Sequence, residues 1–460
     1  MKKPRNRIVH YLLCMVLVSV FCLTPMFAFA MEIPEYIKVG LNYGNTALAS
    51  CKLTSETGFQ IINVEDGDFE ETLPISAYTT LIAAVENGMV VLRSEDGSVV
   101  SASLGKDDCI MAMDYDEDGL IRFENKPYRD GIQLIPDGNN KIMVINYITM
   151  DHYLYGVLQG EMGQEAPLEA LKAQAVAARS YAMTNLYVHK SYGFHVCTTT
   201  HCQVYKGYSW EKTKTNQAVD ETSGQILYSE GKPVSAYYHK NSGGYTQNSK
   251  DVWSSQLPYL VAVKDSYCPD YSWTATMSFE QIQSRLETCG YQIGSVQSVA
   301  ISARNESGAV SELTIVGSND TVTLKKESVR IVLGGSSLKS TQFSISSDSI
   351  PTSSINDVLS VSNGSQTTSS NQSVYVISSS ESKQVHNVEG LVVSNGSSKR
   401  TISSANTSVG EIVTSGSVTF VGKGYGHGIG MAQDSAIVMA NQGMRYDEIL
   451  EYFYTDVEIY

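Results

Sequence analysis

Positive charge is scarce in this chain: 33 Lys and Arg stand against 48 Asp and Glu, a formal net charge of -15. That deficit excludes binders whose affinity rests on neutralising nucleic-acid phosphates. Cysteine is scarce too, with eight in 460 residues, two of them (Cys14 and Cys22) inside the N-terminal apolar run. The remaining six are too few for a disulfide scaffold at this length. No repeat period is visible, and after the N-terminal run no segment is apolar for long enough to span a bilayer.

What is present begins with an export signal. Lys2, Lys3, Arg5 and Arg7 precede an apolar run from Ile8 to Leu23, and Ala28-Phe29-Ala30 offers a small-x-small cleavage pattern. The run is short for a full membrane span, so residues 1–30 read as a signal peptide, or as an N-terminal membrane anchor if uncleaved. Either way the rest of the chain is expected outside the cytoplasm, secreted or associated with the wall. Its 42 % hydrophobic content permits a sizeable core.

The predicted fold class is α+β, rich in strands with a few helices. Residues 31–145 carry short β-like runs, such as Tyr36–Leu41 and Lys141–Ile145, bounded by turn residues; they predict a small N-terminal β-rich domain. Residues 146–344 read as the first part of a mixed domain of helices and strands. Its long helix, from about Pro167 to His189, has Leu168, Leu171, Ala175, Ala178 and Ala182 recurring at steps of three and four. Between Pro351 and Gly410, 18 Ser and 5 Thr dilute strand-like pieces at Val374–Ile377 and Gly390–Val393. Residues 345–415 therefore read as a β-type insertion with loose flanks. Residues 416–460 return to ordered signals and close the mixed domain.

Lys172 and Arg179 lie seven residues apart, two helical turns, and so share one face. Taken alone this is a solvated basic face. Because a lone Glu161 precedes the helix by a short loop, the pair also reads as a cationic stripe that positions an anionic or polyhydroxylated substrate. Cys197 and Cys202, with His195 and His201 beside them, offer thiolate and imidazole donors apt for Zn²⁺. A disulfide or free thiols fit the same spacing. Glycine at every second position from 422 to 430 fails the G-x-G-x-x-G nucleotide pattern and instead predicts a strand with one bare face, Tyr425 and His427 sharing the other.

The run from Glu161-Met162 through Ala166-Pro167 and Glu169–Ala182 resembles the SpoIID/LytB domain signature. Thr200–Gly207, Tyr238–Thr246 with Asp251-Val252-Trp253 and Pro258-Tyr259-Leu260, and Gly424–Gln433 match it in order. The resemblance covers about residues 145–340 and 415–460. It implies a lytic transglycosylase of peptidoglycan glycan strands, as in SpoIID members that act during engulfment, or an amidase modifier, as in LytB members. It places the acid/base on Glu161 and substrate contacts on Lys172 and Arg179. Ser242 with its following glycines, Tyr425, His427 and Gln433 are then expected to line the groove. A zinc site near the active centre, at Cys197, Cys202 and one or both of His195 and His201, is implied as a structural feature, no cofactor being required for the step. Implied partners are glycan strands and other wall hydrolases. Where the family has Pro after Glu-Met, this chain has Gly163, which predicts a less stiff loop.

One carboxyl group suffices for such chemistry. Ordinary glycosidases need two. When the sugar's own 6-hydroxyl is the nucleophile, a single Glu can protonate the leaving oxygen and then accept the hydroxyl proton.

Overall fold

The computed structural model describes residues 34–64, 70–117, 119–347, 411–414 and 416–460, with six short strands between 359 and 401. The expected export signal lies outside the described residues. The architecture is the mixed, strand-rich α+β type anticipated. Among the described residues no helix is long and apolar enough to cross a membrane. The described residues form two compact units, one of those up to Ala236 together with Asp456–Tyr460, the other of those from Tyr237 to Thr455.

The first unit is built on strands β1 (Tyr36–Asn42), β2 (Ser50–Thr54), β3 (Phe59–Asn63), β4 (Glu70–Ile75), β5 (Thr80–Glu86), β6 (Met89–Arg93), β7 (Val99–Leu104), β8 (Asp108–Ala112), β9 (Ile121–Phe123), β10 (Lys126–Tyr128), β11 (Gly131–Pro136), β12 (Ile142–Thr149) and β13 (Val196–Cys197). One sheet has the order β13-β1-β12-β11-β8-β3-β4 and the other β10-β9-β2-β5-β6-β7. Seven of the eight β12 residues are buried, so this strand is covered on both faces. It also runs through position 145, where the sequence drew a domain border, and passes straight into helix α1 (Met150–Glu161), whose first turn Thr149 caps through His152 N. The N-terminal β region and the helices after it are therefore one unit.

Helix α2 spans Leu168–Thr184, shorter than the expected 167–189. Pro167 stands at its N-cap, and Asn185 ends it by donating from Nδ2 to Tyr181 O at 2.7 Å. The expected apolar stripe is wider than periodicity suggested: Gln174, Arg179 and Ser180 are as buried as the alanines. Helix α3 (Thr213–Asp220) follows. The chain's last strand, Glu458–Ile459, returns to pair with Leu227–Ser229.

In the second unit β14 (Ser272–Ser278), β15 (Val296–Arg304), β16 (Val310–Gly317), β17 (Thr321–Lys325), β18 (Phe343–Ser347), β19 (Ile412–Val413) and β20 (Ser417–Lys423) make two antiparallel sheets, ordered β14-β20-β18 and β17-β16-β15-β19. Trp273, Phe279, Leu286, Leu313, Phe343 and Phe420 belong to the core they enclose. Within the Ser/Thr-rich insertion, Leu359–Ser362 pairs with Thr367–Ser370, Val374–Ile377 with Ser382–Val385, and Val392–Ser394 with Lys399–Thr401.

The glycine-rich run corrects the sequence expectation. The strand ends at Lys423, and Gly424, Gly426, Gly428 and Gly430 all take positive φ, between 67° and 117°. Each also lies against other backbone or side chains. A Cβ on Gly430 would sit 2.0 Å from Tyr237 O, and one on Gly424 2.8 Å from Gly243 N. The alternation thus encodes a glycine-dependent chain path, not a pleated strand.

Candidate functional site

Glu161 is the last residue of α1 and is half-buried. The helix stops there because Gly163 adopts φ 78°. Its N–H reaches Leu158 O at 3.4 Å, and Gln164 N donates to Gln159 Oε1 at 2.9 Å. Proline, with φ fixed near -65°, cannot take this left-handed position. Gly163 therefore shapes a pinned exit from the helix, where the sequence suggested a looser loop.

Two turns earlier on α1, Tyr153 is fully buried, and its hydroxyl donates to Gln203 Oε1 at 3.1 Å. Burial pushes this phenol's pKa up first of all, and the negative charges of Cys202, Glu161 and Cys197 add to the rise.

Two glycines one turn apart on α1 admit aromatic rings. A Cβ on Gly156 would meet the Tyr205 ring at 2.5 Å, and one on Gly160 would meet Trp210 Cζ3 at 2.9 Å. The turn carrying Trp210 is fixed by Arg129, whose fork grips the Glu211 carboxylate at 2.9 and 3.0 Å.

The two cations of α2 have different surroundings. Lys172 Nζ lies 3.0 Å from Glu169 Oε1 and 2.6 Å from Glu221 Oε2, with its side chain 15 % exposed. Arg179 is fully buried. Its guanidinium donates to Asp151 Oδ1 at 2.8 Å, Thr222 O at 2.8 Å and Gln225 O at 3.1 Å. Arg179, expected as a substrate contact, is thus placed inside the first unit among protein partners. Its two terminal nitrogens tie α2 to the start of α1 and to the segment after α3, while Nε keeps no partner among the described residues.

The thiol–imidazole cluster is present with one change of member. Ligand atoms of His189, Cys197, His201 and Cys202 all lie within 4.8 Å of one another. Cys202 Sγ is 3.4 Å from His189 Nε2 and 3.5 Å from His201 Nδ1. His195 is not among them. Its Nδ1 accepts the Lys38 N–H at 3.1 Å while its own N–H donates to Lys38 O, which fastens it to the edge of β1. Burial, with Lys38, pushes its pKa down to about 4. His189, carried past the end of α2 and stacked on Phe194 at 4.8 Å, takes the place expected for it. All six described cysteines are free thiols, Cys197 and Cys202 included. Burial raises the Cys202 thiol to about 12. For Cys197 burial acts the same way, but hydrogen bonds from Thr199, Cys202 and His189 outweigh it and bring the thiol down to about 6. Two sulfurs and two imidazoles at this spacing fit a closed tetrahedral Zn²⁺ shell.

Ser242, Tyr425, His427 and Gln433 belong to the second unit. The Ser242 loop does not offer free donors. Its hydroxyl donates to Asp265 Oδ2 at 2.6 Å, Gly243 N donates to Asn241 Oδ1 and Gly244 N to Ser242 Oγ. Gln433 is 4 % exposed. Tyr425 is half-buried, bridged to Asn241 through both backbone groups, with Lys339 Nζ 5.0 Å from its ring centre. His427 Nδ1 accepts the Ile429 N–H at 3.0 Å, and its ring lies 5.5 Å from Trp253 and 5.7 Å from His239. Sequence reasoning gave no role to His239. It is buried, donates from Nδ1 to Ile429 O at 3.0 Å, and keeps an unpartnered Nε2.

Two family models match the chain: "Stage II sporulation protein" (SpoIID) over residues 138–228, and a domain of unknown function over 268–360. An amidase enhancer of Bacillus subtilis is 34 % identical over 327 residues, covering 65 % of this chain and 39 % of that protein. Stage II sporulation protein D of Bacillus amyloliquefaciens is 29 % identical over 68 % of this chain and 75 % of its own length. An uncharacterized protein of Brachyspira hyodysenteriae is 27 % identical over 72 % of each. The chain thus spans about two fifths of the amidase enhancer and about three quarters of the sporulation protein. With the matched segment holding Glu161, α2 and the Cys/His cluster, the chain carries a domain of the SpoIID/LytB family.

Proposed function

We propose that this protein acts outside the cytoplasm on the bacterial cell wall, as a lytic transglycosylase of peptidoglycan glycan strands with Glu161 as its single acid/base. The observation that carries this reading is the seat of Glu161. It is a half-buried carboxyl at the very end of α1, fixed by the glycine exit that follows it, inside the segment matched by the sporulation-protein model. Glu161 gives its proton to the glycosidic oxygen as the muramyl C1–O bond breaks. The muramyl 6-hydroxyl then bonds to C1, and its proton returns to Glu161. No water is consumed, and the products are a 1,6-anhydro-muramyl end and a free 4-hydroxyl end.

In this reading Lys172 steadies the site's charge from its two carboxylate partners, and Arg179 is a positioning residue that holds α2 against α1. His189, Cys197, His201 and Cys202 would hold Zn²⁺ with all four positions filled by protein. The ion would then brace the segment beside Tyr153 and Gln203.

The amidase enhancer among the relatives favours a second reading, a glycan-binding partner of other wall hydrolases that makes no cut itself. Mass spectrometry of digested glycan strands separates the two. The proposal expects 1,6-anhydro ends with the wild type and their loss in Glu161→Gln. Ends that persist in that variant sink the role given to Glu161, and strand binding without new ends supports the second reading.

A further inference from the structure

A cavity of about 810 Å³ opens in the first unit beside the segment that leads to Glu161. One wall is the β9–β10 hairpin with Lys126 and Tyr128, and the other is the stretch from Tyr205 to Trp210. Its size suits a few sugar rings, since pockets for organic ligands run from about 300 to 1,000 Å³. Trp210 is 38 % exposed, and Lys206 Nζ stands 5.7 Å from its ring centre. Both lysines are exposed, in a chain whose formal charge is -15. The carboxylate that also lines the space, Glu124, accepts the Lys52 N–H at 2.9 Å.

The cavity is tied to the proposed catalytic carboxyl through covalent neighbours. Gly160, the residue before Glu161, faces the benzo edge of Trp210 with no room for a side chain. At the far end Thr198 follows Cys197 of the thiol–imidazole cluster. The cavity thus borders, through Trp210, the last turn of the helix that ends in Glu161.

We propose that this cavity is a glycan subsite, in which an amino sugar stacks on Trp210 and the lactyl carboxylate of a muramyl residue is met by Lys206 and Lys126. The assignment rests on the cell-wall reading above and adds to it the ground on which the strand is held. An aromatic face is suited to the apolar C–H face of a pyranose, and the ring stays in place because Arg129 clamps Glu211 one residue on. The lysines distinguish muramyl from glucosaminyl residues, because only the former carries a carboxylate.

The test uses the full chain carrying Glu161→Gln, so that strands stay intact, and measures binding by calorimetry with two probes. One is peptide-free glycan strands; the other is a chitooligosaccharide, which has no lactyl group. Trp210→Ala is expected to weaken both by about tenfold, and Lys126→Glu with Lys206→Ala to weaken only the strands by a similar factor. Lys126 and Lys206 are exposed, so that double variant folds even if the Trp210 change disturbs its turn. Unchanged affinity for strands in the folded lysine variant overturns the subsite, as does equal weakening of both probes by it. The catalytic reading fails separately: Glu161-intact protein that binds strands in this Trp210- and lysine-dependent way but makes no 1,6-anhydro ends leaves the subsite standing and removes the chemistry.

Discussion

Arg179 and Lys172 stand two turns apart on one helix, yet their replacement has different expected outcomes. Arg179→Ala leaves Asp151 without its cation and strips hydrogen bonds from the Thr222 and Gln225 carbonyls. Breaking a buried pair from one side costs about 3–5 kcal/mol. Lys172→Met removes a partly solvent-screened triad and is expected to cost about 1 kcal/mol or less. Urea unfolding curves check both. A folded, fully stable Arg179→Ala protein with a raised KM for glycan strands would restore the substrate contact that the sequence suggested. Nothing in the 3.6-residue period marks Arg179 as buried. Its fate is set by Asp151 and the 219–225 segment, 28 to 46 residues away in the chain, which fold over it.

Two histidines of the second unit, His239 buried and His427 half-buried, make an acid-limb prediction at the same scale. Burial pushes His239 down to about 4 and His427 to about 3. Near pH 7 both are neutral in the folded and unfolded states and contribute no pH dependence. As pH falls through about 6.5 the unfolded chain takes up protons that the folded unit refuses, so stability declines from there toward pH 4. For His239, 4 % exposed, the loss amounts to about 3 kcal/mol once fully expressed. His239→Gln is expected to flatten this decline in melting temperature between pH 6.5 and 4; a slope equal to wild type would show that these rings are not shielded.

Among whole elements, α2 was legible and the glycine run was not. Ala, Leu, Gln, Lys and Arg between 168 and 184 are good helix formers, so local propensity and tertiary structure agree. Alternate glycines instead mimic a period of two while each holds a positive φ, a state that composition does not announce. The thiol–imidazole cluster was legible in three of its four members, for a related reason. Cys197, His201 and Cys202 are close in sequence, but His189 is delivered by the end of α2, and backbone pairing with Lys38 takes His195 away. This yields an element-scale prediction. Protein loaded with Zn²⁺ is expected to hold about one ion per chain, because the four donors complete a tetrahedral shell. His189→Ala is expected to lose the ion and lower the melting temperature, as chelation does. His195→Gln is expected to retain it. Zinc retained by His189→Ala and lost from His195→Gln would reverse the assignment.

At the scale of the whole molecule, chain order and unit membership part company, and this makes the Ser/Thr-rich insertion separable in principle. Residues 348–410 stand in the chain between β18 and β19. Their two ends are already brought together by structure outside them. β18 pairs with β20 from Phe343↔Gly422 to Ser347↔Val418, β19 pairs with β15, and Glu411 accepts the Ile345 N–H while pairing with Arg304 at 3.0 Å. A short Gly/Ser linker therefore has little distance to cover. Replacing these 63 residues with about eight removes three doublings of loop length, which lowers the closure cost by about 2 kcal/mol. The trimmed protein is expected to fold with equal or higher unfolding free energy and to yield the same 1,6-anhydro ends from isolated glycan strands. If it folds with the same stability yet fails only on intact sacculi, the insertion is a contact to the wall or to a partner. Loss of folding would instead mean that the six strands between 359 and 401 support the core of the second unit.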